Sequence, residues 1–141
     1  KYCEEYIDEI ARHHVSGQLK LAPEHTVSAV VELMGKPSID CLAAFRQKFE
    51  TASKKAGKNQ FLTYYLIAAH PGCTDKDMLN MKKFVSKELK INPEQVQIFT
   101  PTPSTYSSLM YYTEINPFTK REIFVEKGDG AKLRQKKIIT G

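Results

Sequence analysis

The stretch FLTYYLIAAHPGCT, from Phe61 to Thr74, decides the fold of this chain. It begins with an apolar run, Phe61 to Ala69, whose hydrophobic residues occupy both alternate sets of positions. A strand that is covered on both faces has this pattern, because successive side chains point to opposite sides of a sheet. The run ends abruptly in a compact polar turn that starts at His70. The sequence therefore predicts a buried strand with a turn at its carboxyl end.

Two further segments have the same layout of an apolar run and a polar turn. They are QLKLAPEHT (Gln18 to Thr26) and VQIFTPTPST (Val96 to Thr105), and helix-like segments separate the three runs. Alternation of strands with helices is typical of an α/β fold with a parallel sheet. Proteins of this kind bind ligands at the carboxyl ends of their strands. We therefore expect three strands that share one cleft: Gln18–Ala22, Phe61–Ala69 and Val96–Thr100.

The segments between the strands carry apolar residues at helical spacing. Thr74 and Asp77 have the spacing of a capping box, in which the hydroxyl and the carboxylate accept hydrogen bonds from free N–H groups at a helix start. Beyond residue 105 the pattern weakens, and LMYYT (109–113) and EIFVE (122–126) are each interpreted as a short extended piece. The predicted helices are Tyr2–Val15, Val27–Met34, Ser38–Gly57 and Thr74–Leu89, and the predicted turn before the third strand is Asn92-Pro93-Glu94.

The length and composition indicate one folded domain. A chain of 141 residues, of which 41% are hydrophobic, buries roughly 70% of its unfolded surface. No apolar stretch approaches the ~20 residues that a membrane span needs, which predicts a soluble globular protein. Residue 1 is Lys rather than Met, and a helical pattern begins at once. We therefore expect a piece of a longer protein, so the absence of a signal peptide carries little weight.

The positive charge is concentrated near the carboxyl terminus. The chain has a net charge of +5, and residues 131–141 hold Lys132, Arg134, Lys136 and Lys137 without any acid. The rest of the chain is therefore nearly neutral. Two interpretations stay open for this segment: a solvated basic tail, or an arm that contacts phosphates.

The cysteines indicate free thiols. Cys3, Cys41 and Cys73 are odd in number and far apart, so neither a disulfide framework nor a CxxC metal motif is present, and no metal site is predicted. Free thiols are typical of the reducing cytoplasm, which is the predicted location. Cys41 falls on a predicted helix, whereas Cys73 lies in the turn after the second strand. Cys73 is therefore the thiol closest to the candidate site.

The turns after the first two strands supply candidate binding residues. Glu24 can accept hydrogen bonds from sugar hydroxyls, and with His25 it suits a ribose-bearing ligand. The same two residues equally suit a cap for the following helix. In the second turn Ala68, Ala69 and Gly72 leave backbone groups unshielded, which suits either a flat heterocycle or close packing of a helix. Both alternatives stay open at each turn.

The third turn, TPTPST, is interpreted as a lining of the cleft. Pro101 and Pro103 have no N–H donor, so a central strand cannot continue beyond Thr100. The sequence contains no glycine-rich dinucleotide motif, no P-loop lysine motif and no serine nucleophile elbow. The pair His13-His14 suits the C-terminus of a helix better than a shared metal. The residues alone thus predict a binding cleft and name no reaction.

Five strings of residues, in order along nearly the whole chain, resemble the C-terminal half of the YgiQ-type radical S-adenosylmethionine proteins. They are HHVSGQLKLAPEHT (13–26), LMGKP (33–37), AAHPGCT (68–74), VQIFTPTPST (96–105), and MYYT with NPFT (110–119). More distantly, AHPGCTDKDM resembles the fifth-strand motif of the methylthiotransferases in the same superfamily, which usually has Glu where this chain has Cys73. The resemblance implies part of a radical S-adenosylmethionine enzyme whose substrate is unknown.

The resemblance also implies a fold and a division of the chain. Residues 1–130 would form the C-terminal part of a partial (β/α)6 TIM-like barrel, with the three strands as approximately its fourth, fifth and sixth. Residues 131–141 would be a basic tail or the start of a following segment. The other strands would come from the N-terminal remainder of the same protein. That remainder, S-adenosylmethionine and the substrate are the implied partners, without nucleic acid or membrane.

The cofactors of this superfamily imply roles for the turn residues. A [4Fe-4S] cluster donates an electron to the sulfonium of S-adenosylmethionine, and the resulting 5′-deoxyadenosyl radical abstracts a hydrogen from the substrate. The first turn would contact the ribose or the methionine part, the second would pair its backbone with adenine, and the third would close the adenine side. The residues implied in binding are Glu24, His25, Ile67, Ala68, Ala69, His70, Gly72, Phe99 and Pro101.

The missing cluster motif limits what this chain can do alone. The CxxxCxxC motif of the superfamily lies in the N-terminal part of the barrel, so we expect this chain to bind no cluster and to be inactive by itself. Two other functions stay open. One is a small nucleotide-binding α/β domain that needs no cluster. The other is a basic nucleic-acid-binding module, in which lysines hold phosphates while Tyr111, Tyr112 and Phe118 stack on bases.

Overall fold

A three-stranded parallel sheet forms the centre of the structure. The computed structural model describes residues 2–93 and 95–141. The strands are β1 (Gln18–Glu24), β2 (Phe61–Ala68) and β3 (Gln97–Ile98), and they lie in the order β1-β2-β3. Both neighbouring pairs are parallel, which confirms the predicted α/β class with a parallel sheet. β3 is shorter than predicted, whereas β1 continues to the first turn.

Six helices in the described residues precede, connect and follow the strands. Two of them, α1 and α4, continue into a π-helical turn. None of the helices in the described part of the chain has both the length and the apolar character needed to cross a bilayer. Glu94, the last residue of the predicted turn, lies outside the described residues. The bounds are α1 Tyr2–Glu9 with its π turn Ile10–His14, α2 Ser28–Leu33, α3 Asp40–Lys55, α4 Asp75–Phe84 with its π turn Val85–Leu89, α5 Tyr106–Thr113 and α6 Asp129–Thr140.

Helices α2, α4 and α6 pack against one face of the sheet. Tyr64, Leu66 and Ala68 of β2 are buried in the main core, which also contains residues of α2, α4 and α6. The alternate side chains, such as Thr63 and Tyr65, are only half-buried. The prediction that both faces of this strand are covered is therefore wrong. The run is apolar at both sets of positions, but the hydrophobic core of the described residues contains only one set.

The opposite face of the sheet is largely polar and lacks a covering layer in the described residues. Gln18 Nε2 donates a hydrogen bond to Thr63 Oγ1 at 2.8 Å, across the β1–β2 pair. Lys20 Nζ lies 5.3 Å from the centroid of the Tyr65 ring, a cation–π distance. Gln18, Lys20, Thr63, Tyr65 and Ile67 define what we call the open face.

Two hydrophobic clusters hold the helices in place. The larger lies between β2 and the helices α2, α4 and α6, where Met78, Met81 and Ile139 are almost fully buried. The smaller joins α1 to α3 through Ile7 and Phe49. Burial of one such side chain contributes about 1.5–3 kcal/mol. The C-terminal helix α6 is therefore an integral part of the core.

Three C-terminal segments differ from their predictions. LMYYT lies in helix α5 rather than in an extended piece, because Thr105 caps a helix there by accepting a hydrogen bond from the Ser108 N–H at 3.2 Å. In EIFVE, Glu122 forms an isolated antiparallel bridge with Ile115, and the segment forms no strand. The basic segment 131–141, interpreted as either a solvated tail or a phosphate-contacting arm, lies in helix α6, whose Gln135 is fully buried.

The start of α4 confirms the predicted capping box. Thr74 Oγ1 accepts a hydrogen bond from the Asp77 N–H at 3.4 Å, and Asp77 Oδ2 accepts one from the Thr74 N–H at 2.9 Å. The two residues satisfy free N–H groups that the first helical turn leaves unpaired. The box fixes where the turn after β2 ends and α4 begins.

Candidate functional site

The carboxyl ends of β1 and β2 both leave the sheet through left-handed backbone. Glu24 and Ala69 have φ values of 64° and 58°, in a region that residues other than glycine rarely adopt. Glu24 follows a register shift in the pairing with β2, and its Oε1 lies 3.2 Å from Lys36 Nζ. Because the strands are parallel, both turns emerge at the same edge of the sheet.

His25 is enclosed behind the first turn. Its side chain is 0% exposed, and its Nδ1 accepts a hydrogen bond from the Val27 N–H at 3.1 Å. Since Nδ1 is an acceptor, Nε2 carries the proton of the neutral ring and donates to Cys73 Sγ at 3.4 Å. Burial lowers the pKa of His25 to about 4, an effect that Asp77 opposes and His70 reinforces. His25 is therefore a neutral ring whose two nitrogens both have protein partners.

Gln135 joins helix α6 to the second turn. Its Oε1 accepts a hydrogen bond from the Ala69 N–H at 3.0 Å, and its Nε2 donates to the carbonyl oxygen of Cys73 at 3.2 Å. The Cys73 thiol lies 3.6 Å from the same Oε1. These groups are buried, so each needs a protein partner. His25, Cys73 and Gln135 thus form what we call the buried network.

The thiol of Cys73 is held in its neutral form. Burial raises its pKa to about 12, and the carboxylates of Asp77 and Asp75 add to the shift. Nucleophilic attack and metal ligation both need the thiolate, which this environment disfavours at neutral pH. The structure therefore gives Cys73 a role within the buried network.

His70 links the second turn to helix α5. Its Nδ1 lies 2.8 Å from the carbonyl oxygen of Pro71, so Nδ1 carries the proton and donates there. Its Nε2 then accepts a hydrogen bond from the Ser107 hydroxyl at 2.8 Å, and the ring packs edge-on against Phe99 at 5.0 Å between centroids. Burial lowers the pKa of His70 to about 4, and the hydrogen bond to Pro71 opposes the shift. His70 thus connects the second and third turns as a neutral ring.

Gly72 allows helix α2 to approach the second turn. Its φ is 84°, and a Cβ at this position would lie 2.2 Å from Leu33 Cδ1. Both facts exclude a larger side chain without rearrangement. The Gly72 N–H donates to the carbonyl oxygen of Phe124 at 2.7 Å. Close packing of a helix, one of the two sequence interpretations, is therefore present at this residue.

The third turn borders an open pocket. The pocket has a volume of about 420 Å³, and Phe99, Pro101, Tyr111 and Lys132 are among the residues that line it. The rings of Phe99 and Tyr111 lie 5.8 Å apart, and Lys132 Nζ lies 3.1 Å from Tyr111 Oη. The hydrogen bond with Tyr111 raises the pKa of Lys132, which keeps the amine charged. We call this the third-turn pocket.

The predicted site residues thus fall into two groups. His25, Ala69, His70 and Gly72 are tied into contacts within the protein, whereas Phe99 and Pro101 border open space. The backbone of Ala68 is also engaged, because its carbonyl oxygen accepts from the Phe99 N–H at 2.8 Å, and Ile67 lies in register with Gln97. Contacts of these residues with a ligand stay predictions.

Sequence reasoning missed two residues that organise the turns. Gln135 falls in a segment dominated by lysine and arginine, and its only signal is the helical spacing with Ala131 and Ile139. Ser107 lies in a polar stretch that marks a loop, and nothing in its neighbourhood indicates a histidine partner. Both contacts join residues that are far apart in sequence, so local patterns cannot reveal them.

Comparison with known proteins relates the chain to longer polypeptides. No protein-family model matches it. It is 59% identical over 135 residues to a UPF0313 protein of Fusobacterium nucleatum, a match that covers 96% of the chain and 24% of the relative. UPF0313 proteins of Methanosarcina acetivorans and Clostridium botulinum strain 657 are 43% and 42% identical over 136 residues, which are 18% and 21% of those relatives. The chain matches one segment of the UPF0313 proteins. It spans about a quarter or less of the length of these relatives.

The described residues of this chain do not form a metal centre. No group of three or more His, Cys, Asp or Glu side chains gathers in them around a common point. Cys41 is exposed on α3, whereas Cys73 is buried in the main core. A [4Fe-4S] cluster needs several thiolates placed closely together. The side chains described here therefore do not fit such a cluster.

Proposed function

We propose that this chain supplies one wall of the S-adenosylmethionine-binding cleft of a radical S-adenosylmethionine iron–sulfur enzyme. The observation that carries the proposal is a parallel sheet in sequential strand order with helices packed on one face. A (β/α) barrel has this arrangement, because its helices form an outer ring and its inner face lines the lumen. A doubly wound sheet has helices on both faces. The open face would then be part of the barrel interior.

The third-turn pocket suits the nucleoside part of S-adenosylmethionine. Its volume of about 420 Å³ is within the range of small-molecule sites. Phe99 and Tyr111 offer aromatic surface to a flat base, and Lys132 offers a cation beside it. In the first turn, Thr26 Oγ1 is one of two buried side-chain atoms in the described residues that lack a hydrogen-bond partner. A polar ligand or an ordered water satisfies such an atom.

The residues of this chain would bind and orient the nucleoside and exclude water from it. In this superfamily the bound cluster supplies the electron that cleaves S-adenosylmethionine. The thiols described here do not fit that cluster, so we assign them no catalytic step. Cluster ligands would lie in the part of the protein outside this chain. The buried network would hold the second turn rigid from behind, which preorganises the cleft. The cytoplasmic location stays a prediction.

The test uses a chimera in which this chain replaces the matched segment of the Fusobacterium nucleatum relative. After anaerobic reconstitution with iron and sulfide and reduction with dithionite, we expect the chimera to convert S-adenosylmethionine to 5′-deoxyadenosine, measured by mass spectrometry. The unaltered relative is the positive control. If both reconstituted proteins bind no S-adenosylmethionine and release no 5′-deoxyadenosine, the proposal fails. Equally tight binding by the 141-residue chain alone would favour a self-sufficient nucleotide-binding domain.

A matched pair of glutamate variants tests the first turn. Glu24→Gln removes a charged acceptor at the edge of the sheet, and we expect the chimera to bind S-adenosylmethionine about tenfold more weakly. Glu122→Gln makes the same chemical change at an exposed position in the bridge after α5 and should leave the dissociation constant unchanged. Equal affinities for the two variants would remove Glu24 from the proposed site without affecting the rest of the proposal.

A further inference from the structure

Four apolar side chains on α5 and in the loop after it are exposed near one another. Tyr106, Tyr112 and Phe118 are 62%, 71% and 68% exposed, and Leu109 is 47% exposed. The rings of Tyr106 and Phe118 lie 4.8 Å apart. Tyr106, Leu109 and Tyr112 are spaced three residues apart on α5, so they share one side of the helix. We call these four residues the aromatic surface.

Hydrogen bonds hold the aromatic surface in a fixed shape. At the start of α5, Thr105 caps the helix that carries three of the four side chains. In the loop, Asn116 Oδ1 accepts hydrogen bonds from the N–H groups of Phe118 at 2.9 Å and Thr119 at 3.2 Å. The Asn116 N–H also donates to the carbonyl oxygen of Arg121 at 2.8 Å. The exposed rings are therefore presented by ordered backbone. Exposed apolar residues gathered on one region of a surface are typical of interaction sites.

Two lysines near the aromatic surface already have partners within the protein. Lys127 Nζ donates to Glu114 Oε1, so its charge is already neutralised. Lys132 contacts the Tyr111 hydroxyl and lies 3.5 Å from Asp129 Oδ1. A phosphate backbone needs cations that are available to replace its counterions. These two lysines are instead engaged within the protein.

We propose that the aromatic surface docks against an apolar segment of the same polypeptide in the longer UPF0313 proteins. The matched span is 24% of the Fusobacterium relative and 18% of the Methanosarcina relative, so more than three quarters of each lies outside it. A covalently connected partner has an effective concentration in the millimolar range, which favours it over a separate protein. The inference depends on the similarity to UPF0313 proteins and not on the cofactor.

Hydroxyl-radical footprinting tests the docking without any variant. The isolated 141-residue chain and the Fusobacterium chimera are irradiated side by side, and mass spectrometry gives the oxidation rate of each aromatic residue. A reference peptide in each sample corrects for the radical dose. We expect Tyr112 and Phe118 to be oxidised about tenfold more slowly in the chimera, because the core of an interface excludes water. Equal rates in the two proteins would overturn the proposal.

Other occupants of the surface give different results, and each would overturn the proposal. Protection in the isolated chain that rises with its concentration would indicate a second copy of the chain. Protection that appears only when single-stranded RNA is added would indicate a nucleic-acid partner. As a second measurement, Tyr112→Asp should lower the melting temperature of the chimera clearly while changing that of the isolated chain little. The isolated chain is therefore the matched control for folding of the variant.

Discussion

The two faces of the central strand β2 have similar sequences and different surroundings. Leu66 is fully buried under the helices, whereas its neighbour Tyr65 is half-buried on the open face beside Lys20. The same contrast separates the turns, since the second turn is enclosed by the buried network and the third borders a pocket. An apolar strand sequence therefore does not by itself mean that both faces are covered, because in the described residues only one set of β2 side chains lies in the core. The covered side stabilises this chain, and the open side is available for binding.

The largest expected effect is a loss of folding stability at low pH, through the enclosed histidines. Burial lowers the pKa values of His25 and His70 from 6.5 to about 4, so at intermediate pH the unfolded chain binds protons that the folded chain does not. Their contribution to stability is complete above pH 6.5 and is lost as the pH falls toward 4. At about pH 5, each histidine should lower the free energy of unfolding by about 2 kcal/mol relative to neutral pH, and the two together by about 4 kcal/mol. Guanidinium unfolding at about pH 7.5 and about pH 5 measures this loss.

A surface variant provides the control for the pH experiment. His13 and His14 lie in the π turn after α1, and their side chains are 61% and 66% exposed. Replacing both by Gln should leave the pH-dependent loss in place. A free energy of unfolding that stays constant between the two pH values would show that the enclosed histidines are not neutral in the folded state.

Truncations on the two faces of β2 should differ strongly. Leu66→Ala removes a side chain that is 0% exposed, and we expect a loss of about 3 kcal/mol in the free energy of unfolding, since a cavity remains. Tyr65→Ala removes a larger side chain from the open face and should cost about 1 kcal/mol or less. Denaturant unfolding of both variants measures the two losses in the free energy of unfolding. Equal losses would mean that the open face is covered in solution, for example by a second copy of the chain.

Two glutamine-to-leucine variants compare the buried network with an exposed position in the sheet. Gln135→Leu keeps the volume of the side chain but leaves the buried Ala69 N–H without an acceptor, at a cost of about 2 kcal/mol. The control is Gln97→Leu, since Gln97 is exposed and, among the described residues, its side chain bonds only to the adjacent Ile98 carbonyl oxygen. Amide hydrogen exchange should show faster exchange at Ala69 in Gln135→Leu alone. Unchanged exchange there would show that another group supports the second turn.

The sequence reveals the features that depend on neighbouring residues. The capping box of Thr74 and Asp77 spans four positions, so its chemistry is complete within one short string. The buried network depends on Gln135, which lies 62 residues from Cys73. Its helix α6 resembles a solvated tail because lysines and arginine surround the few residues that face the core. LMYYT has the aromatic composition of a strand, and the cap at Thr105 together with packing of Met110 overrides that preference.

In the candidate site, too, the sequence reveals local features but not contacts between distant residues. The sequence locates the turns correctly at one edge of the sheet, because the order of strands and helices determines it. It does not show that His25 and His70 face inward, since burial of a histidine depends on the elements packed around it. Their partners, Cys73 and Ser107, lie 48 and 37 residues away. Long-range packing, rather than the turn sequence, therefore decides which turn residues are open to a ligand.

The two threonine caps give the smallest and most local comparison. Thr74→Ala should cost about 1–2 kcal/mol, because Thr74 is half-buried and shares its box with Asp77. Thr105→Ala should cost about 0.5–1 kcal/mol, since Thr105 is an exposed residue whereas Thr74 is half-buried. Although smaller, the second loss falls on α5, which presents the aromatic surface, so it should also raise hydrogen exchange along that helix. Exchange in α5 that stays at the wild-type rate would show that packing of Met110, and not the cap, holds the helix in place.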